Sequence, residues 1–186
     1  MALFDEIGFD NTCLKRIYYN SFKRSLVNFL NQEEKNTKGK KQITKKVTYM
    51  DGFIDIHSHV IPCVDDGAQS IEQSVKMLEI AASEGISTII ATPHQKADRR
   101  CVTPEGIVKR IEILQKKADE LKIPVKLFPG NEIFYRHGLA ELLEQGKIRT
   151  LADSHYVLIE FLPGEDYAYI RDAIGRVASF GYWPVV

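Results

Sequence analysis

Two histidines, two residues apart, close a short apolar run in 53-FIDIHSHVIPCVDDG-67. Side chains of an extended strand alternate between its faces, so His57 and His59 point the same way and can meet one ion. Asp65 and Asp66 follow in the next loop, within reach of the same mouth. Three more polar residues end apolar runs downstream: His94 in 91-ATPHQ-95, Glu132 in 129-PGNEIF-134 and Glu160 in 156-YVLIEF-161.

Each of these residues, taken singly, has a structural explanation. A lone histidine at a strand end is more often a hydrogen-bonded structural group. Glu132 can cap a turn after Gly130, and Asp65-Asp66-Gly67 is most often a turn. Glu160 resists that treatment, because it sits between Ile159 and Phe161 and a buried carboxylate without a cationic partner is costly. Four successive strand ends carrying His or Glu, read jointly, point to a polynuclear metal site. Its donors are imidazole and carboxylate without thiolate, which suits Mn²⁺, Fe²⁺ or Zn²⁺ better than a structural zinc–thiolate site. More than four donors exceed one tetrahedral ion, so two or three clustered ions are expected, with a carboxylate such as Glu132 bridging. Such a cluster generates hydroxide from bound water and neutralises phosphate charge. The reaction class is metal-dependent hydrolysis, phosphate ester ahead of amide. Arg99 and Arg100, in the loop after His94, are secondary candidates for binding phosphate, in competition with a solvated surface role.

The elements that must position these groups are legible from Met50 onward. Phe53–Ile56 forms a first strand. Ser70 caps a helix, with Gln73 completing an S-x-x-Q capping box, a stripe of Ile71, Val75, Leu78 and Ala82, and a stop at Gly85. The run 87-STIIAT-92 has the continuous β-branched character of a strand covered on both faces. Thr103 and Pro104 open the next helix, with a stripe of Ile107, Ile111, Leu114, Ala118 and Leu121. A strand over 125–128, a short helix over 138–145, a strand over 155–161, a helix over 165–180 and a strand from Tyr182 complete the series. This strand–helix alternation predicts an α/β fold with a parallel sheet, either open or curling towards a barrel. In either form, functional groups gather at the C-terminal strand ends.

Residues 1–49 differ in character. They hold ten Lys/Arg against five Asp/Glu, whereas the remaining 137 residues hold fifteen against twenty, so the zero net charge conceals two opposite halves. Leu14, Ile17, Tyr18, Phe22, Leu26, Phe29 and Leu30 mark one face of a basic amphipathic helix within residues 1–32, and the lysine-rich 33–49 reads as a polar linker. A docked helix, a membrane-surface or partner helix, and upstream sequence preceding a natural start at Met50 are the competing readings. No apolar run reaches the roughly 18 residues of a membrane span, and no secretory signal is evident. The three cysteines have unrelated spacings, which fits a reducing, cytoplasmic setting better than a disulfide framework. The acidic portion after residue 49 offers no basic path for nucleic acid. There is no Gly-rich phosphate loop, so a dinucleotide-binding reading has no support.

The segment 54-IDIHSHVIPCVDDGAQSIEQS-74, with 90-IATPH-94, 130-GNEIF-134 and 157-VLIEF-161, resembles the metal-dependent protein-tyrosine phosphatases of the polymerase-and-histidinol-phosphatase (PHP) superfamily, bacterial enzymes of capsule and exopolysaccharide synthesis. The likeness covers roughly residues 52–186, so residues 50–186 are expected to be the N-terminal portion of a PHP-type phosphatase domain. It implies a distorted β/α barrel with Mn²⁺ or a similar ion, two or three in the complete site. The substrate would be a phosphotyrosine protein such as the tyrosine kinase of polysaccharide synthesis. Carried over by position, His57, His59 and Glu132 would hold a metal-bound water, with Asp66, His94 and Glu160 completing the cluster. Cys63 stands where the family usually has glycine, and Gln95 where a second histidine is common. In the family, the strand matching 182-YWPVV-186 runs on into a His-Pro-Glu-Arg-like segment and a later Asp-x-His. This sequence contains neither, so it reads as truncated against that pattern. A non-catalytic fragment or metal- or partner-binding remnant, and a PHP small-molecule phosphatase such as a histidinol-phosphate phosphatase, therefore stand as alternatives.

Overall fold

The computed structural model describes residues 52–96 and 101–186. The predicted helix of 1–32, the linker of 33–49, Met50, and Arg99 and Arg100 lie outside the described residues.

Among the described residues, seven strands and four α-helices follow one another: β1 (Phe53–Ser58), α1 (Ile71–Ser83), β2 (Ile86–Ala91), β3 (His94–Gln95), α2 (Pro104–Glu120), β4 (Lys126–Pro129), β5 (Glu132–Phe134), α3 (Leu139–Glu144), β6 (Tyr156–Glu160), α4 (Tyr167–Ser179) and β7 (Trp183–Val185). Every strand pairing is parallel. The predicted elements are present with bounds shifted by one or two residues. A 3-10 turn at Leu151–Asp153, absent from the sequence reading, precedes β6.

The single expected sheet is replaced by two, ordered β1-β2-β4 and β3-β5-β6-β7. Two short strands, β3 and β5, lie beyond the predicted strands over 87–92 and 125–128: Thr92 and Pro93 separate β2 from β3, and Gly130 and Asn131 separate β4 from β5. Proline has no N–H to give a ladder. A Cβ at Gly130 would stand 2.9 Å from Ile90 Cγ2, so any other residue there would have to displace that side chain. The register sets His94 opposite Glu132, and Phe134 opposite Glu160. The ends of β1 and β2 are locked by Thr92, whose hydroxyl accepts from Ser58 N–H at 3.0 Å and whose N–H donates to Ser58 O at 2.9 Å.

Helix starts follow their caps. Ser70 Oγ accepts from Gln73 N–H at 3.2 Å, and Gln73 Oε1 reaches back to Gln69 N–H at 2.9 Å, one residue beyond the cap of an ideal capping box. Thr103 Oγ1 accepts from Gly106 N–H, and Asp166 caps α4 through Ala168 N–H and Tyr169 N–H. Two stripe assignments change. On α1 the buried line is Ser74, Leu78 and Ala81, with Ile71, Val75 and Ala82 only half-buried beside it. Ser74 can go inside because its hydroxyl donates to Ser70 O at 3.1 Å. On α2, Leu121 is the C-cap and is 48% exposed.

Each sheet has its own core. Leu78, Ile89, Ile107, Leu114 and Val125 pack together where α1 and α2 cover the first sheet. Ile133, Leu143, Val157, Ile159 and Val177 do so where α3 and α4 cover the second. No helix among the described residues is long and apolar enough to cross a membrane.

Leu114 is fully buried and its neighbour Ile113 is 65% exposed. Leu114→Ala should cost about 2–5 kcal/mol in denaturant unfolding. Ile113→Ala should stay within about 0.5 kcal/mol. Equal costs would show that α2 is docked through a different face.

Candidate metal centre

The sheet break brings the C-terminal end of β1 against the start of the second sheet. Glu132, 8% exposed at the first position of β5, is the meeting point. Its Oε1 lies 3.1 Å from His57 Nε2, and its Oε2 lies 3.2 Å from His59 Nε2 and 3.0 Å from His94 Nδ1. His94 Nδ1 is also 3.4 Å from Glu160 Oε2, while its Nε2 is 3.4 Å from Asp66 Oδ1. All six ligands predicted from the sequence, His57, His59, Asp66, His94, Glu132 and Glu160, therefore fall in one cluster. The cluster resolves into three overlapping sets, His57–His59–Glu132, His59–Asp66–His94 and His94–Glu132–Glu160, each with its donor atoms within 4.8 Å of one another.

These residues fit divalent ions on the evidence of their own unsatisfied atoms. His94 Nδ1, Glu132 Oε2 and Glu160 Oε2 are buried and make no hydrogen bond, although His94 Nδ1 lies 3.0 Å from Glu132 Oε2 and 3.4 Å from Glu160 Oε2. Burying polar atoms this way is costly unless something fills the space between them, and imidazole with two carboxylate oxygens is a hard-to-borderline cation's donor set.

Asp65, which the sequence placed at the mouth without a role, is a positioning residue. Its side chain is 7% exposed, against 78% for Asp66. Oδ2 accepts from His59 Nδ1 at 2.9 Å and from His94 N–H at 3.1 Å, and Oδ1 accepts from Gly67 N–H at 3.0 Å. One carboxylate thus orients a ligand ring from the first sheet and a ligand backbone from the second, leaving His59 Nε2 directed at Glu132. In a D-D-G turn the adjacent acids look alike; only the fold decides which one turns inward.

Charges in the metal-free arrangement follow from these contacts. His59 is pushed up to about 10, chiefly by its hydrogen bond to Asp65 and then by the Glu132 carboxylate beside it, against burial. Burial raises Asp65, but the hydrogen bonds from His59, Gly67 and His94 prevail and hold it at about 2. Glu132 is likewise raised by burial and brought below its ordinary value by His59, His57 and His94. Burial raises Asp55, which accepts from His57 N–H at 3.1 Å.

Cys63 has φ +59°, the left-handed region. A non-glycine residue there costs roughly 1–2 kcal/mol, which is a physical reason for glycine at this position in the resembling family. Its thiol donates to Gln69 O at 3.0 Å, closing the loop that carries Asp65 and Asp66.

The family profile for capsular polysaccharide synthesis, CpsB/CapC, matches residues 53–186. The chain belongs to the CpsB/CapC family. It is 36% identical over 138 residues to the tyrosine-protein phosphatase CpsB of Streptococcus pneumoniae, covering 72% of this chain and 55% of that protein. It is 33% identical over 134 residues to the tyrosine-protein phosphatase YwqE of Bacillus subtilis (strain 168), covering 72% and 53%. A solved structure from work on YwqE and CpsB, described as unique metal-dependent tyrosine phosphatases, superposes with TM-score 0.67 at 32% identity, over 71% of this chain and 53% of that one. The chain spans about half the length of these CpsB/CapC relatives.

Two substitutions test this geometry without touching a ligand. Asp65→Ala should weaken Mn²⁺ binding about 10–100-fold by calorimetry. A side chain at Gly67 would collide with His59 O and Cβ, so Gly67→Ala should lower both Tm and metal affinity. Gly175, an open helical position, serves as the control: Gly175→Ala should stabilise by roughly 0.5–1 kcal/mol with metal affinity unchanged.

Proposed function

We propose that this CpsB/CapC chain belongs to a metal-dependent phosphotyrosine protein phosphatase of bacterial capsule or exopolysaccharide synthesis, working in the cytoplasm. The observation that carries the reading is Glu132, one buried carboxylate approached by His57, His59 and His94. The CpsB and YwqE relatives, named as tyrosine-protein phosphatases, supply the substrate class. A phosphotyrosine protein is the expected partner, in particular the tyrosine kinase of the same pathway. Sequential parallel strands support the further reading that residues 50–186 belong to a distorted PHP-type β/α barrel.

Divalent ions, with Mn²⁺ ahead of Fe²⁺ and Zn²⁺, would supply Lewis acidity towards water and charge neutralisation of the phosphoryl oxygens. His57, His59 and Glu132 would hold one ion, and His94, Glu132 and Glu160 another. Glu132 can serve both because a carboxylate has two oxygens. The third set shares both its histidines with the others, and a neutral imidazole offers one nitrogen lone pair, so Asp66 is the donor left for a third ion. His59 is held in register by Asp65, which fixes a proton on Nδ1 and frees Nε2 for the ion. The half-exposed His57 and the exposed Asp66 mark the open side, where a phosphate ester would enter.

With Mn²⁺ added, the purified chain should hydrolyse p-nitrophenyl phosphate and a phosphotyrosine peptide, and EDTA should stop both. His57→Ala combined with His59→Ala should reduce the rate at least a hundredfold. A rate equal to that of the double variant would reject catalysis by this chain and favour a metal- or partner-binding role.

A further inference from the structure

Among the described residues, Lys96 is the Lys or Arg whose side chain pairs with a carboxylate of the cluster: its Nζ lies 3.6 Å from Glu160 Oε2. Neither the ligand sets nor the family match gives it a role. Lys96 comes two residues after His94, and in an extended strand that spacing returns the side chain to the same face. The ammonium is accordingly aimed at the third ligand set, with the side chain 28% exposed, open enough for a ligand to reach. Its backbone is fixed as well. Lys96 N–H donates to Cys101 Sγ at 3.1 Å, and the Cys101 thiol donates to Lys96 O at 3.2 Å. The Lys96 backbone is thus held on both sides of its Cα, and the flexible part is the four-carbon stem.

We propose that Lys96 is a phosphoryl-binding residue of the metal-loaded centre; the inference rests on the phosphatase reading above. In the metal-free molecule the ammonium neutralises Glu160. A dication held by His94, Glu132 and Glu160 would take up that same carboxylate charge and leave the ammonium, on its movable stem, available to an incoming anion. A phosphate monoester brings up to two negative charges and several strong acceptor oxygens. Lysine meets such a group as a compact point charge with three donors on a movable stem. The chemistry selected is a terminal phosphoryl group, with no demand on the ester's organic part. Arg99 and Arg100, the earlier candidates, lie outside the described residues, whereas Lys96 is tied to the cluster by its contact with Glu160.

The test uses the full chain loaded with Mn²⁺, titrated with inorganic phosphate by calorimetry, alongside metal content by mass spectrometry for wild type, Lys96→Gln and Lys96→Arg. Loss of one charge-assisted contact should weaken phosphate binding of the glutamine variant about tenfold or more at unchanged metal content. The arginine variant should recover most of the affinity. Equal phosphate affinity in wild type and Lys96→Gln would overturn the role of Lys96 and leave the phosphatase reading intact. Loss of metal in Lys96→Gln would overturn it in favour of a support for Glu160. A wild-type chain that takes up metal but no phosphate would overturn both readings.

Discussion

One carboxylate organises the site. Glu132 sits almost out of solvent with two imidazoles on one oxygen and a third on the other, and two more carboxylates come within reach through His94. Groups of this kind would each be hydrated separately in an unfolded chain. Bringing them together removes that hydration, and the cost is offset only if opposite charges and directed contacts replace it. Separate parts of the chain deliver its members to this point: β1 and the residue after it, the loop before α1, β3, β5 and the end of β6.

The break of the strands is what makes the convergence possible. Unbroken strands would carry His94 and Glu132 onward in the first sheet, away from the pairing that now sets them side by side with β6. An interruption frees backbone polar groups, and these must find partners. Asn131, 2% exposed, supplies them: its Nδ2 donates to Pro93 O at 3.0 Å, and its Oδ1 accepts from Arg149 N–H at 3.0 Å. Glu132 N–H donates to the same Pro93 carbonyl at 3.2 Å. A buried amide therefore stitches the two breaks together one residue away from the central ligand, which places a structural requirement and a chemical one on adjacent positions.

What the sequence revealed follows the range over which its signals act. Helix stripes, caps and glycine stops are local, and α1 and α2 were legible from them to within a residue or two. Asp66 came from the family resemblance, and the other five candidate ligands were legible because each stands at or just past the end of an apolar run, a pattern that survives interruption of a strand. The cuts themselves were not, since β3 and β5 are two and three residues long and carry no periodicity. Ser74 escaped notice because its burial depends on a hydroxyl bond to Ser70 O that composition does not announce. Asp65 and Asp66 could not be ranked, as their difference lies in a loop path fixed by Gly67 packing on His59. Lys96 had a usable signal, the two-residue step from His94, but with Glu160 distant in sequence nothing identified the pair.

Charge accounts for how such a site can hold together before it is loaded. Asp65, Asp66, Glu132 and Glu160 bring four negative charges into a small volume, opposed by the His59 imidazolium and Lys96. Two negative charges remain, a field that opposes the approach of any anion. The proton on His59 Nε2 occupies the place where an ion would sit, so proton and metal are alternatives at one position. Two dications in exchange for that proton would leave the same groups with one positive charge, which would attract an anion. On the proposed phosphatase reading, the affinity of this centre for a phosphorylated side chain would therefore be conditional on metal, because occupancy would reverse the sign of the field that an approaching anion meets.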